Sequence, residues 1–385
     1  MAYQAEIPYG CYWSTPFARW QGAYASLNSL ELAAQVARKE LERRAIPVGT
    51  IDHGVLGFSV PQKHSFYGLP WVAGMAGLGR IGGQTVMQAC ATGVRALLAG
   101  AQEIESGMSE VALTLTCDRT SNGPHLYYPN PRGPGGTGGH EDWVMDNFNC
   151  DPLGPHAMIQ TAENIARKHG ISTAEQHEVV LRREAQYKEG LGNFHKRFMS
   201  TATALEGDEG IRFSTSEGLA KLKPVLEGGT VTYGGQTHPA DGNAAILLAT
   251  PQRAKALSRD PKIRVRILGF GQARAELALM PEAPVPAAKR ALEQAGLAIG
   301  DMDAVKTHNP FALNDILFSR LTGVGLEKVN NYGCSLVWGH PQGPTGTRSV
   351  IELIEELAAR GGGHGLFTGC AAGDTAMAVV LKVGA

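Results

Sequence analysis

One pattern of residues occurs twice in this chain at the same spacing. Thr92-Gly93-Val94-Arg95 opens a helical stretch; a turn at Ser106-Gly107, a strand-like run over 110–116 and Cys117 follow. Thr345-Gly346-Thr347-Arg348 opens another helix over 349–359; a turn at Gly361-Gly362-Gly363, a strand over 365–368 and Cys370 follow. Threonine and cysteine lie 25 positions apart in both copies (117 − 92 and 370 − 345). A further echo comes after each: 241–248 and 374–381 read as strands behind a polar turn. Their near-continuous apolar character suits sheet covered on both faces. The repeat predicts an α/β protein of two related halves, with central helices buried between sheets.

The pattern breaks between Cys117 and about Leu222. Residues 121–155 are rich in Gly, Pro and aromatics (Tyr127, Tyr128, Trp143, Phe148), and helical periodicity then runs through 161–169 and 173–189. Thr173 reads as a cap for the latter, with Gln176 three residues on. An insertion of this size usually carries function.

Composition narrows the classes. With 385 residues, 43% apolar and 18% charged, the chain can bury a large core and does not read as disordered. A formal charge of −1 and no strong basic run exclude a nucleic-acid surface. The six cysteines form no CxxC pair, so neither a zinc ribbon nor a disulfide framework is expected, and free thiols suit the cytoplasm. The opening Met1-Ala2-Tyr3-Gln4-Ala5-Glu6 lacks a basic start followed by an apolar run, and no apolar run is long enough for a membrane helix.

Chemistry gathers at the two helix starts. Cys90 precedes the first, where the helix dipole and unpaired N–H groups are expected to lower a thiol's pKa. His340, in Gly339-His340-Pro341-Gln342-Gly343, takes the matching place before the second. If the halves pack face to face, the two form a Cys–His pair for thiolate formation. His308 ends the strand-like Ala304-Val305 segment, where α/β sites collect, though it also reads as a turn histidine. Cys370 lies in the small-residue turn Gly369-Cys370-Ala371-Ala372-Gly373, fit either to approach a substrate or to fill a core. His140, His156, His238 and His364 lack ligand spacing, so no metal is assigned.

With these residues in place, the chain resembles the thiolase family over nearly its whole length. Ser14-Thr15-Pro16-Phe17-Ala18-Arg19 resembles the family's opening RTPFGR stretch. Cys90 falls at the nucleophile, and Thr161-Ala162-Glu163-Asn164 at its TAEN helix. Ala220-Lys221-Leu222-Lys223-Pro224 resembles the stretch before the thioester site, and Asp241-Gly242 its DG. Gly339-His340-Pro341 matches GHP, and Cys370 matches the C-terminal catalytic cysteine. Two departures stand out. His308-Asn309-Pro310-Phe311 replaces NEAF, which, like Cys90-Ala91-Thr92-Gly93, resembles sterol-carrier-type thiolases, yet those often lack the second cysteine. Ala371-Ala372-Gly373 replaces the glycines of CxGG.

The resemblance implies a five-layer αβαβα fold. Residues 1–120 plus 222–255 would form the N-terminal half, 121–221 a loop domain and 256–385 the C-terminal half. It implies that His340 takes the Cys90 proton, that the thiolate attacks a 3-oxoacyl-CoA, and that Cys370 protonates the departing enolate or, in synthesis, deprotonates the α-carbon. One oxyanion hole would use His340 and His308, the other the N–H groups of Cys90 and Ala372. Met158, Arg212, Lys221, Thr237 and His238 would contact coenzyme A, a substrate rather than a resident cofactor. The implied assembly is a homodimer or higher, with a sheet edge near Thr114-Leu115-Thr116 and room for a small OB-fold, zinc-binding partner subunit. The aromatic 121–155 segment suggests an acyl group bulkier than acetyl, such as that of benzoylsuccinyl-CoA. Two rivals remain: a decarboxylating, ketosynthase-like condensing enzyme and a non-catalytic acyl-CoA-binding subunit.

Overall fold

Alternation along the strands sorts the core into layers. The computed structural model describes residues 3–384; Met1 and Ala2, which begin the opening stretch read above, and Ala385 lie outside them. The first sheet contains β1 (Tyr12–Ser14), β2 (Ala18–Arg19), β3 (His53–Gly57), β4 (Gly82–Val86), β5 (Val111–Arg119) and β8 (Ala240–Ala249). Its order is β1-β8-β5-β3-β4, with β2 beside β8. A separate ribbon pairs β6 (His125–Tyr128) with β7 (Gly139–Asp142). The second sheet contains β9 (Arg264–Arg274), β10 (Ala304–His308), β11 (Gly363–Ala371) and β12 (Thr375–Gly384), in the order β10-β11-β12-β9.

Leu113 and Leu115 of β5 and Ala245 and Leu247 of β8 pack on one side with the helices Ser29–Arg43 and Leu69–Met75. Their neighbours Ala112, Ile246 and Leu248 face the opposite layer, where Val379 and Leu381 of β12 also point. Ala378 and Val380 face outward onto the helix Pro284–Ala295. The result is helices, sheet, helices, sheet, helices, the five-layer order that the resemblance implies.

The middle layer holds the two repeated helices, Thr92–Glu105 and Gly343–Ala359. They touch at their first turns. A Cβ on Gly93 would lie 2.6 Å from both the Gly343 carbonyl oxygen and the Thr347 nitrogen, so only a bare backbone fits. Thr116 Oγ1 reaches Thr347 Oγ1 at 2.9 Å across the same seam.

The repeated arginines diverge. Arg95 pairs with Gln88 and Gln272. Arg348 is fully buried; it donates to both Asp208 oxygens at 2.6 and 2.7 Å and to Glu352 at 3.0 Å, stacked among Phe17 and Trp338. Asp208 belongs to the segment between the repeats, so this ion pair ties that segment to the second half.

Three expectations need correction. The cap of the helix Thr173–Gly190 is Ser172, one residue earlier, in a reciprocal capping box with Glu175. The segment 121–155 is not all loop, because β6 and β7 form a hairpin within it. Thr114-Leu115-Thr116 is not an edge: β5 is flanked by β3 and β8, and the exposed edge of that sheet is β4. Among the described residues no helix is long and apolar enough to cross a membrane, and all six cysteines are free.

Candidate active site

Cys90 sits in the tight turn Ala89–Ala91, immediately before the first central helix. Thr92 fastens that turn, donating from its hydroxyl to the Ala89 carbonyl at 2.7 Å and accepting the Gln88 N–H at 2.8 Å. Ala89 has φ +43, a left-handed conformation that turns the next side chain out of the helix path. His340 comes from the facing half. Its N–H donates to the His238 carbonyl at 2.9 Å, and its Nδ1 contacts Thr345 Oγ1 at 2.6 Å. His308 ends β10, with Nδ1 at 2.8 Å from Ser335 Oγ. That hydroxyl also lies 3.0 Å from Asn309 Oδ1. With the hydroxyl proton given to Asn309 Oδ1, which only accepts, the His308 ring proton sits on Nδ1 toward Ser335; turning the hydroxyl to Nδ1 moves that proton to Nε2, facing the site.

These side chains converge. One ligand-type atom from each of Cys90, His308 and His340 falls within 4.8 Å of the others, and the imidazole centroids are 4.1 Å apart. Both Nε2 atoms are buried without a partner in the protein. Cys370, 1% exposed, is the fourth member; Asn314 Nδ2 donates to its Sγ at 3.6 Å. The N–H groups of Ala372 and of Cys90 itself both stabilise negative charge on the Cys90 sulfur, which places two donors around that atom.

The electrostatics differ from the sequence expectation. Burial pushes the Cys90 thiol up to about 12, overriding those N–H groups, with Asp118 adding to the rise. Burial lowers His340 to about 3, partly offset by Gln342. It lowers His308 well below its usual value, and the neighbouring His340 adds to that effect. Cys370 is raised by burial and then by Cys90. At rest the site is a set of neutral acids and bases, not a preformed thiolate–imidazolium pair. Nor do Cys90 and His340 hydrogen-bond directly: the Sγ partner is Gln342 Oε1, at 3.1 Å. Gln342, Ser335 and Asn314 were not singled out from sequence. Gln342 lies two residues from His340 and was within reach of such a reading; the other two act across chain distances that no spacing reveals.

A cleft of about 750 Å³ opens beside the site, lined by Arg19, Trp20, Arg212, Phe213, Tyr233 and His238 among others. It brings together Arg212 and His238. Lys188 stands over the Phe213 ring at 4.1 Å, adding a cation at its margin. Lys221 is exposed between the lining residues Leu219 and Leu222. Thr237 uses its hydroxyl on the Ser335 carbonyl at 2.6 Å, and Met158 packs on the neighbouring core. Of the aromatic group in 121–155, Tyr127 and Tyr128 face solvent from the ribbon, while Trp143 Nε1 donates to the Ser59 carbonyl at 2.9 Å.

The sequence matches two family descriptions, "Thiolase, N-terminal domain" over residues 13–252 and "Thiolase, C-terminal domain" over 261–383. It is 30% identical to the acetyl-CoA acetyltransferase of Pseudomonas aeruginosa, covering 95% of this chain and 96% of that one. It is likewise 30% identical to the beta-ketothiolase BktB of Cupriavidus necator, over 96% of each. The human mitochondrial 3-ketoacyl-CoA thiolase, solved in complex with CoA, superposes with a TM-score of 0.92 at 27% identity over 100% of both chains.

Proposed function

The chain belongs to the thiolase family, and from that premise we propose that its acyl transfer runs through a thioester on Cys90. The family's reaction makes it an acyltransferase that cleaves or forms acyl-CoA chains with coenzyme A as substrate. The observation that carries the Cys90 assignment is the convergence of Cys90, His308 and His340 within 4.8 Å, with the buried Cys370 thiol close enough to feel the Cys90 charge.

In the cleavage direction, His340 takes the Cys90 proton as Sγ bonds to the β-carbonyl carbon of a 3-oxoacyl-CoA. Negative charge moves to the carbonyl oxygen, for which the N–H groups of Cys90 and Ala372 are the donors; as the Cα–Cβ bond breaks it passes to the thioester oxygen of the leaving enolate, for which the two unpartnered Nε2 atoms are the nearest donors once each bears a proton. The Cα–Cβ bond then breaks, and the leaving carbon takes the Cys370 proton. The Cys370 thiolate recovers its proton from the His340 imidazolium; coenzyme A then gives its thiol proton to neutral His340 and its sulfur to the acyl carbon, and the departing Cys90 sulfur takes that proton back. The N–H groups of Cys90 and Ala372 hold the oxyanion of that second exchange; one such donor is worth about 2.7–4 kcal/mol of barrier. Because both histidines rest neutral, proton transfer accompanies attack rather than preceding it.

Arg19, Arg212 and Lys188 around the cleft suit the phosphates of coenzyme A. The exposed edge β4 is where a second copy would add to the first sheet. Cys370 beside Cys90 favours thiolase chemistry over a decarboxylating condensation, which moves no α-proton. The acyl chain we read as bulkier than acetyl from the aromatic composition of 121–155, although none of that segment lines the cleft as it stands and Tyr127 and Tyr128 face solvent.

Intact-mass analysis with a panel of 3-oxoacyl-CoAs tests this reading. Cys90→Ser should abolish the acyl adduct. Cys370→Ala should keep acyl exchange between Cys90 and coenzyme A but lose α-hydrogen exchange with deuterated solvent. An adduct on Cys370, or α-exchange at the wild-type rate in Cys370→Ala, would overturn the assignments.

A further inference from the structure

Among the described residues Cys90 Sγ has one side-chain hydrogen-bond partner, and it is an amide. The thiol donates to Oε1 of Gln342, which reaches across the seam from the opposite half, at 3.1 Å. Gln342 is 5% exposed and holds φ +61 and ψ −107, a backbone conformation that residues with side chains rarely adopt. It is pinned there from both sides. Its carbonyl accepts the Thr345 N–H at 3.1 Å, and the following N–H, of Gly343, donates to buried Asp118 at 2.9 Å. Asp118 is in turn held by the N–H groups of Ser59 and Val60, at 2.8 and 2.7 Å. The unusual backbone thus accompanies an amide directed back at the nucleophile.

We propose that Gln342 is a positioning residue that latches the resting Cys90 thiol, directing its proton to an amide oxygen and away from both histidines until substrate displaces that oxygen. An oxygen lone pair favours S–H and opposes S⁻ at that spot. Of the titratable groups around Cys90, Asp118 disfavours negative charge on its sulfur, while the Cys370 thiol and the neutral His308 and His340 supply no positive charge there; the N–H groups of Ala372 and Cys90 oppose the rise without overcoming it. The latch therefore keeps the nucleophile unreactive in the empty enzyme. The proposal rests on Cys90 being the acylated residue.

The test is the pH dependence of Cys90 alkylation by iodoacetamide, followed by intact mass from about pH 6 to 10, in wild type, Gln342→Gly and Gln342→Leu. Glycine relaxes the backbone; leucine keeps the volume. Both variants should alkylate about three- to tenfold faster than wild type near neutral pH, the span of one neutral hydrogen bond, with the profile moved to lower pH. Slower or unchanged alkylation in both would overturn the latch; slower rates would show the amide N–H stabilising thiolate instead. Acceleration in Gln342→Gly alone would mean easier access, and would also overturn it. Failure of wild-type Cys90 to become acylated by a 3-oxoacyl-CoA would sink the underlying reading separately, whatever the alkylation rates.

Discussion

Burial sets the protonation states at the site, and that has a consequence for acid stability. His340 is held at about 3 in the folded chain, below the usual 6.5, chiefly by desolvation. As pH falls through about 6.5 the unfolded chain binds this proton first, so folding stability is lost progressively toward pH 3. Asp118 acts with the opposite sign. Burial raises it from 3.8 to about 7, against four hydrogen bonds that lower it, so its contribution improves as pH falls from about 7 toward 4. Replacing His340 by glutamine should therefore flatten the acid limb of the urea-midpoint profile between about pH 6.5 and 4. Parallel profiles for wild type and variant would show that His340 titrates normally in the folded state.

At the scale of elements, the repeat made much of the fold readable. Thr-Gly-x-Arg marks two helices that do lie together in the middle layer, and the 25-residue spacing holds because a shorter turn in the second half is offset by a longer helix and strand. Cys90, His340 and Cys370 were visible because each stands beside small residues near the end of an element, and His308 because it ends a strand. Strand order was not visible. Local periodicity gives β5 two apolar faces but does not say which strands flank it, and so the edge was misplaced. The true edge, β4, is exposed along most of its length. Gln84→Pro should remove an N–H from that edge and shift a homodimer toward monomer in light scattering. An unchanged mass at micromolar concentration would place the assembly surface elsewhere.

Across the whole molecule, the largest buried charge network joins parts distant in sequence. Arg348 links Asp208 of the inserted segment to Glu352 of the second central helix, and Lys306 of β10 reaches the same Glu352 at 3.2 Å. Removing one partner of a buried pair leaves the other uncompensated, at a cost of about 3–5 kcal/mol. Arg348→Met should lower the urea midpoint accordingly, and Arg348→Met combined with Asp208→Asn should recover part of the loss. Equal destabilisation in single and double variants would mean the pair does not couple insertion and core.

The contact at Gly93 reaches furthest. The distance between the half that carries Cys90 and the half that carries His340 is set there by main chain against main chain. Main-chain thickness does not change when side chains are exchanged, so this spacer survives sequence drift as long as the glycine does. A relative sharing 27% of its residues superposes with a TM-score of 0.92. Lineages could rewrite the cleft, the ribbon and the outer helices for new acyl groups while inheriting the same reaction gap.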